Sequence, residues 1–370
     1  MVTLICSADW QLGMRRRFFG PDAQSRYSQA RLDAIERIGQ LAGEVAADAV
    51  LVGGDVFDAN QVERQVVLRA AELLAAVPTR VLLLPGNHDC LEPGTVWHSS
   101  EWERAVPGNV SLLTEQPVHV GGYEIVGAPW RTRRPTADPI TGILERLDQA
   151  GHRVLVGHGQ VDTVAPANDV PPVPLAVLEQ ALAQGRVDFV MLGDRHSTTE
   201  VGATGRIWYP GTPEVTDVDE LDPGNVLVVR LGPAQPAVVE KVHVGRWHMV
   251  EHVADVDGAA GVDALDAHLA ALPDKARTYV RLGVQGSLDA AAMTRLDVLL
   301  DQLGEVFAAI SRWQRHWDLH LTPDDADLDA LGLHGAAQAT LADLHARAGT
   351  GDATAGRALA LLHRLARGVA

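Results

Sequence analysis

Up to about residue 245 the chain alternates short apolar runs with longer segments whose apolar residues recur at helical spacing. The short runs are Val2–Cys6, Ala49–Val52, Arg80–Leu84, Val118–Val126, Val154–Val156, Phe189–Leu192, Ile207–Tyr209 and Asn225–Arg230. Nearly every one is followed at once by Gly, Asp, Asn or His, and runs of this length bounded by turn formers predict strands. Between them, Ala30–Ala47, Val62–Val77 and Leu175–Gln184 predict helices; in the first, Leu32, Ile35, Ile38 and Leu41 share a face. The alternation predicts a layered α/β domain in which each helix lays one face on a sheet.

The character changes after Val244. Ala264–Leu272 and Ala290–Phe307 predict helices and Thr278–Val284 alternates as a strand, which together read as a small α+β domain. From Leu319 the composition turns to Ala, Leu and Asp, and Leu328–Leu333, Ala336–Ala348 and Ala355–Ala366 predict a tail of short helices. The division is therefore 1–245, 246–318 and 319–370.

Composition narrows the setting. No run approaches the roughly 20 apolar residues of a membrane span, no leader is visible, and two cysteines are too few for a disulfide framework, so a cytoplasmic location is expected. The 31 basic against 48 acidic residues give a formal charge of −17, which excludes binding nucleic acid by bulk electrostatics. Contact with a polyanion has to be local.

Five polar clusters close the predicted strands: SADWQLG at 7–13, GGDVFD at 53–58, PGNHD at 85–89, GHGQ at 157–160 and GDRH at 193–196. Strand ends of open α/β sheets are where ligand sites gather. Hydrolysis of a phosphodiester needs a nucleophilic water and compensation for charge on the phosphoryl oxygens, and two metals about 3.5–4 Å apart supply both. Asp55 suits a carboxylate shared by two ions and Asn87 a neutral oxygen ligand. His88 is better placed to touch the scissile phosphate or protonate the leaving oxygen.

This ordered set resembles the calcineurin-like metallophosphoesterases, a resemblance that implies a β-sandwich flanked by helices. It further implies that Asp9, Asp55 and His196 hold one metal, that Asp55, Asn87 and His158 hold the second, that His88 is catalytic and that Asp58 is structural. Two positions depart from the family pattern: Gln11 stands where a histidine is usual after Asp9, and Asp194 where one is usual in GDRH. An amide oxygen and a carboxylate in place of imidazoles make a harder site, which favours Mn2+, with Mg2+ or iron as alternatives, over zinc.

Within that superfamily, ADWQLG, VGGDVFD, LPGNHD and YPGT are similar to the SbcD-type DNA repair nuclease subunits. That resemblance implies DNA as substrate, a capping domain over Arg246–Asp318 that helps hold it, an SMC-like coiled-coil ATPase as partner of the tail, a homodimer through the phosphoesterase domain, and association with the nucleoid. Arg15, Arg16 and Arg17, followed by Phe18 and Phe19, and Arg131, Arg133 and Arg134 offer phosphate contacts and base stacking beside motif-bearing strand ends, or else are solvated loops. Arg195 either contacts phosphate or pairs with Asp194. A small-molecule or nucleotide phosphodiesterase and a weakly active scaffold for an ATPase stay open as other functions.

Overall fold

Val2, Leu4 and Cys6 point to one face of the first strand and Ile5 to the other, and all are fully buried. Strand β1 (Val2–Ser7, VTLICS) is thus covered on both sides, which is why its sequence is mostly apolar and does not alternate strictly with polar residues. In this computed structural model, which describes residues 1–149, 151–164, 171–233, 235–321, 332–350 and 352–366, β1 lies in the middle of a six-stranded sheet. Its neighbours are β2 (Ala49–Val52), β3 (Arg80–Leu83) and β4 (Val110–Leu112) on one side and β11 (Asn225–Gly232) and β12 (Gln235–His243) on the other. The second six-stranded sheet runs β5 (Val118–Val120), β6 (Tyr123–Gly127), β7 (Arg153–His158), β8 (Phe189–Gly193), β10 (Ile207–Tyr209), β9 (Thr199–Glu200).

The sheets face one another. Val2, Leu4, Cys6, Leu51 and Leu82 of the first share a core with Val154, Val156, Phe189 and Met191 of the second. The outer face of the first sheet carries α1 (Pro21–Glu44), α2 (Arg64–Ala75) and the short α3 (Ser100–Ala105), through Leu32, Ile35, Ile38, Val67, Leu74 and Trp102. The outer face of the second carries α4 (Pro139–Leu144) and α5 (Leu175–Ala183), through Ile140, Ile143, Leu178 and Leu182. Each such buried side chain contributes roughly 1.5–3 kcal/mol. The result is the helix-flanked β-sandwich that the sequence resemblance implied.

Some elements differ from the sequence reading for local reasons. Val118–Val126 is a hairpin and not one strand, because Gly121 and Gly122 both take positive φ (55° and 84°) and make a two-residue turn. Helix α1 begins nine residues before Ala30, with Pro21 in its first turn, where φ is already suited to a helix. The edge strand β12 escaped notice because its side chains are mostly solvated.

The chain divides into two compact units, Met1–Arg17 with Gln24–Trp247, and Phe18–Ala23 with His248–Ala370. In the second, β13 (His248–Asp255), β14 (Thr278–Leu288) and β15 (Ala309–Leu321) form a parallel sheet in that order, joined by α6 (Gly258–Ala271) and α7 (Ala290–Val306). Val262, Leu265, Leu269, Val280, Leu282 and Leu296 form its core. Only the central strand was apolar enough to be read in advance. Helices α8 (Ala336–Gly349) and α9 (Ala353–Ala366) follow; of the helix expected over Leu328–Leu333, positions 328–331 lie outside the described residues. Among the described residues no helix is long and apolar enough to cross a membrane.

Candidate metal centre

Strands β1, β2 and β3 are parallel neighbours in one sheet, and β7 and β8 in the other, so their carboxyl ends open on the same side. The loops after β1 and β2 run together: Asp9 N donates to the Gly54 carbonyl at 3.0 Å, Gln11 N to Asp55 at 2.9 Å and Leu12 N to Val56 at 2.9 Å. This brings Asp9 and Asp55 side by side. Asp9, Gln11, Asp55 and Asp194 all have positive φ (55°, 49°, 51° and 86°). A left-handed backbone costs about 1 kcal/mol or more at each such position, and strain of this kind collects at functional sites.

Close approach explains the glycines of the motifs. A Cβ on Gly54 would lie 2.2 Å from His158 Nδ1, and one on Gly86 2.2 Å from Asp55 Oδ1. Any side chain at either position would push a candidate ligand out of place.

The three histidines share one arrangement, in which Nδ1 is tied to an acceptor and Nε2 is presented to the centre. His158 Nδ1 lies 2.8 Å from the Gly53 carbonyl, His88 Nδ1 2.8 Å from the Asp58 carbonyl, and His196 Nδ1 2.8 Å from Glu220 Oε1 and 2.6 Å from Thr216 Oγ1. A carbonyl cannot donate, so His158 and His88 carry their protons on Nδ1. Around His158 Nε2 stand Asn87 Oδ1 at 2.8 Å, Asp55 Oδ1 at 3.5 Å and Asp194 Oδ1 at 3.7 Å. His196 Nε2 lies 3.9 Å from Asp9 Oδ1, and His88 Nε2 3.9 Å from Asp55 Oδ2.

These donors suit divalent cations. Asp9, Asp55 and His158 place ligand atoms within 4.8 Å of one another while all three are buried. The Asn87 amide turns its oxygen to His158; with the amide reversed, its nitrogen would instead reach His158 and both Asp55 oxygens. Hydrogen bonding among protein atoms alone favours the reversed amide, whereas a cation requires the oxygen. Gln11 Nε2 donates to Asp55 Oδ2 at 2.9 Å, and Gln11 Oε1 is buried with no partner, a free donor oxygen at the same spot.

The charge balance agrees. Burial pushes the Asp9 carboxyl up to about 6, though His196 and His158 oppose the shift. Burial works against a charged His158, yet Asp55, Asp194 and Asp9 outweigh it and push the imidazole to about 9. His196 also reaches about 9: burial opposes its charge, but the hydrogen bond to Glu220 and the charge of Asp9 prevail. Burial raises Asp194 as well. Protons here neutralise carboxylates that a metal would otherwise neutralise.

The arginines are dispersed. Arg15 pairs with Glu63 at 2.6 Å, Arg131 with Glu115 at 2.8 Å and Arg133 with Glu92 at 3.3 Å, while Arg133 also reaches the His88 carbonyl at 3.4 Å. Arg17 and Arg134 are exposed. Arg195 reaches Thr199 Oγ1 at 2.9 Å and the Val164 carbonyl, not Asp194. With Arg16, it lines a cleft of about 430 Å³ beside His196. The base-stacking reading of Phe18 and Phe19 is corrected: Phe18 stacks on Tyr279 with centroids 3.8 Å apart, and Phe19 packs against its edge, since both rings gain more from burial.

Several residues went unread. Asp89 is fully buried and ties two motif loops by accepting from Phe57 N at 3.1 Å and Gly86 N at 2.7 Å; it sat inside PGNHD without a separate role. Trp130 donates to the His158 carbonyl at 2.6 Å. Thr216 and Glu220 carried no motif.

The family model for the calcineurin-like phosphoesterases matches residues 3–230. Among solved structures the chain is similar to TT1561 of Thermus thermophilus, with 13% identity over 66% of this chain and 99% of that one and a TM-score of 0.40. It is also similar to a 5'-nucleotidase precursor from the same organism, with 12% identity over 66% of this chain and a TM-score of 0.37, spanning 54% of that precursor. No curated protein matches the chain at a significant level.

Proposed function

Since the chain belongs to the calcineurin-like phosphoesterase family and is thereby a metal-binding phosphoester hydrolase, we propose that its substrate is DNA and that it acts as an SbcD-like nuclease with Mn2+. The observation that carries this reading is the convergence of Asp9, Asp55, Asn87, His158, Asp194 and His196 on one centre, with the exposed Arg133 reaching the His88 carbonyl beside it. The side chains of Arg15, Arg131 and Arg133 are 75%, 60% and 49% exposed, and exposed ion pairs contribute about 0–1 kcal/mol. Such guanidinium groups exchange a carboxylate for a phosphate at little cost, which suits a substrate with phosphates on either side of the scissile one.

Two divalent cations, when bound, supply a nucleophilic water at neutral pH and offset charge on the phosphoryl oxygens. Asp55 faces both sides of the centre, Oδ1 toward His158 and Oδ2 toward Gln11 and His88, and so would be the shared ligand. His158, Asn87 and Asp194 would complete one side and Asp9 and His196 the other. His88, half exposed and anchored through its Nδ1–H, directs Nε2 to the centre, where a second proton, carried on Nε2 when the ring is doubly protonated, would pass to the leaving oxygen. Helices α8 and α9 would dock the ATPase partner, a reading supported by exposed Leu361 and Leu365 on α9.

A second reading, hydrolysis of a nucleotide or similar small ester, is favoured by the cleft of about 430 Å³, a volume in the range of small-ligand pockets. The two are separated by assaying purified protein with Mn2+ on linear and single-stranded DNA and on nucleotides. DNA cleavage is expected, and His88→Ala should lower kcat roughly 10²–10⁴-fold while Mn2+ still binds. Equal cleavage by that variant removes His88 from the mechanism. Hydrolysis of nucleotides alone transfers the conclusion to the second reading, and inertness toward both leaves a scaffold for the ATPase.

A further inference from the structure

Glu220 is acidic, its side chain is only 6% exposed, and both its oxygens are engaged: Oε1 by His196 Nδ1 at 2.8 Å and by the Thr216 hydroxyl, Oε2 by Thr216 N at 2.9 Å. We propose that Glu220, held by Thr216, is a positioning residue that fixes the His196 ring with Nε2 toward Asp9 and strengthens that side of the centre as a metal ligand. The inference rests on the two-metal reading above.

His158 is oriented by a neutral backbone carbonyl, Gly53 O, whereas His196 is oriented by a buried carboxylate. A charged acceptor on Nδ1 makes the opposite nitrogen a stronger donor to a cation, and it locks the ring against rotation. The need for this differs between the two sides. His158 has three oxygens, from Asn87, Asp55 and Asp194, within 3.7 Å of its Nε2. On the other side Asp9 is 3.9 Å from His196, and Gln11, which bonds Asp55 through its amide nitrogen, stands where a third ligand belongs. Negative charge delivered through His196 offsets what an amide lacks as a ligand.

The plain alternative is that Glu220 only braces the 216–220 loop. Calorimetric titration of the full-length protein with Mn2+ separates the two. Wild type should show two binding events, and His196→Ala identifies the one belonging to its side. Glu220→Ala should weaken that same event roughly 10- to 100-fold and leave the other within about twofold, with Glu220→Gln, which keeps an acceptor oxygen for His196 Nδ1 but loses the charge and the acceptor for Thr216 N, in between. The spin-coupled electron paramagnetic resonance signal of paired Mn2+ should give way to a mononuclear one at matched concentration. If both events survive Glu220→Ala with the fold intact by circular dichroism, or both weaken equally, the inference fails. Where the alanine variant does not fold, Glu220→Gln decides by the same selective shift. Absence of binding to wild type overturns the two-metal reading itself, and that is seen before any variant is made.

Discussion

The two sides of the centre are built differently. On the His158 side a fully buried imidazole meets an amide oxygen and two carboxylates, all supplied by strand ends. On the His196 side the imidazole is a quarter exposed, borders the cleft, and depends on Thr216 and Glu220, which lie in a loop beyond the last strand of the second sheet. With the two cations proposed above, the sandwich would fix one site by its own packing and leave the other to be completed from outside the sheets. Affinity should be unequal, with the His158 side filling first.

The largest effect is expected at the residue that both sides share. Asp55→Ala should abolish both Mn2+ binding events and lower phosphoester hydrolysis about 10³-fold or more, since several kcal/mol of charge stabilisation go with the metals. Loss of only one event in calorimetry would show that Asp55 belongs to one side.

A smaller effect follows from protonation. His158 and His196 both reach about 9 in the metal-free protein, above their ordinary 6.5, so near pH 7 each must release a proton before it binds a cation. Mn2+ affinity should rise with pH up to about 9, and titrations in buffers of different ionisation enthalpy should detect the released protons. The same shifts bear on folding. With both folded values raised from 6.5 to about 9, the native state binds more protons than the unfolded chain across that window. Metal-free protein therefore loses stability as pH rises through it, and a thermal melt should show Tm falling. A Tm that rises there would contradict the charge balance described.

The smallest effect is expected from Gln11→His. Supplying the missing imidazole should tighten the His196-side event by about tenfold and leave the His158 side unchanged, measured by the same titration. No change would mean that position 11 does not face a cation.

Much of this was legible in the chain because the relevant signals are local. Each apolar run with its trailing Gly, Asp, Asn or His records a strand and the loop that leaves it, so Asp9, Asp55, Asn87, His88, His158 and His196 could be named from their motifs. What escaped depends on tertiary neighbours. Glu220 acts on a histidine 24 residues away through a loop with no periodicity. Asp89 looked like motif decoration until its two backbone partners were known. The arginines illustrate the converse: Arg15, Arg131 and Arg133 read as a basic rim, but each has a carboxylate opposite that only folding brings near. Strands β13 and β15 were missed because edge strands with one solvated face lack the apolar run that marks β14.

The left-handed loops of the centre also govern when it can exist. Asp194 N donates to Asp9 across 185 residues, and a Cβ on Gly193 would lie 1.9 Å from the Gly53 carbonyl, so the two sheets meet with almost no clearance at this seam. Contacts of such sequence separation form late, after most loop-closure entropy has been lost. A cation held by ligands from both sheets would favour the completed sandwich over the unfolded chain. A filled centre would then be a clasp across the two sheets, adding stability that grows with metal concentration.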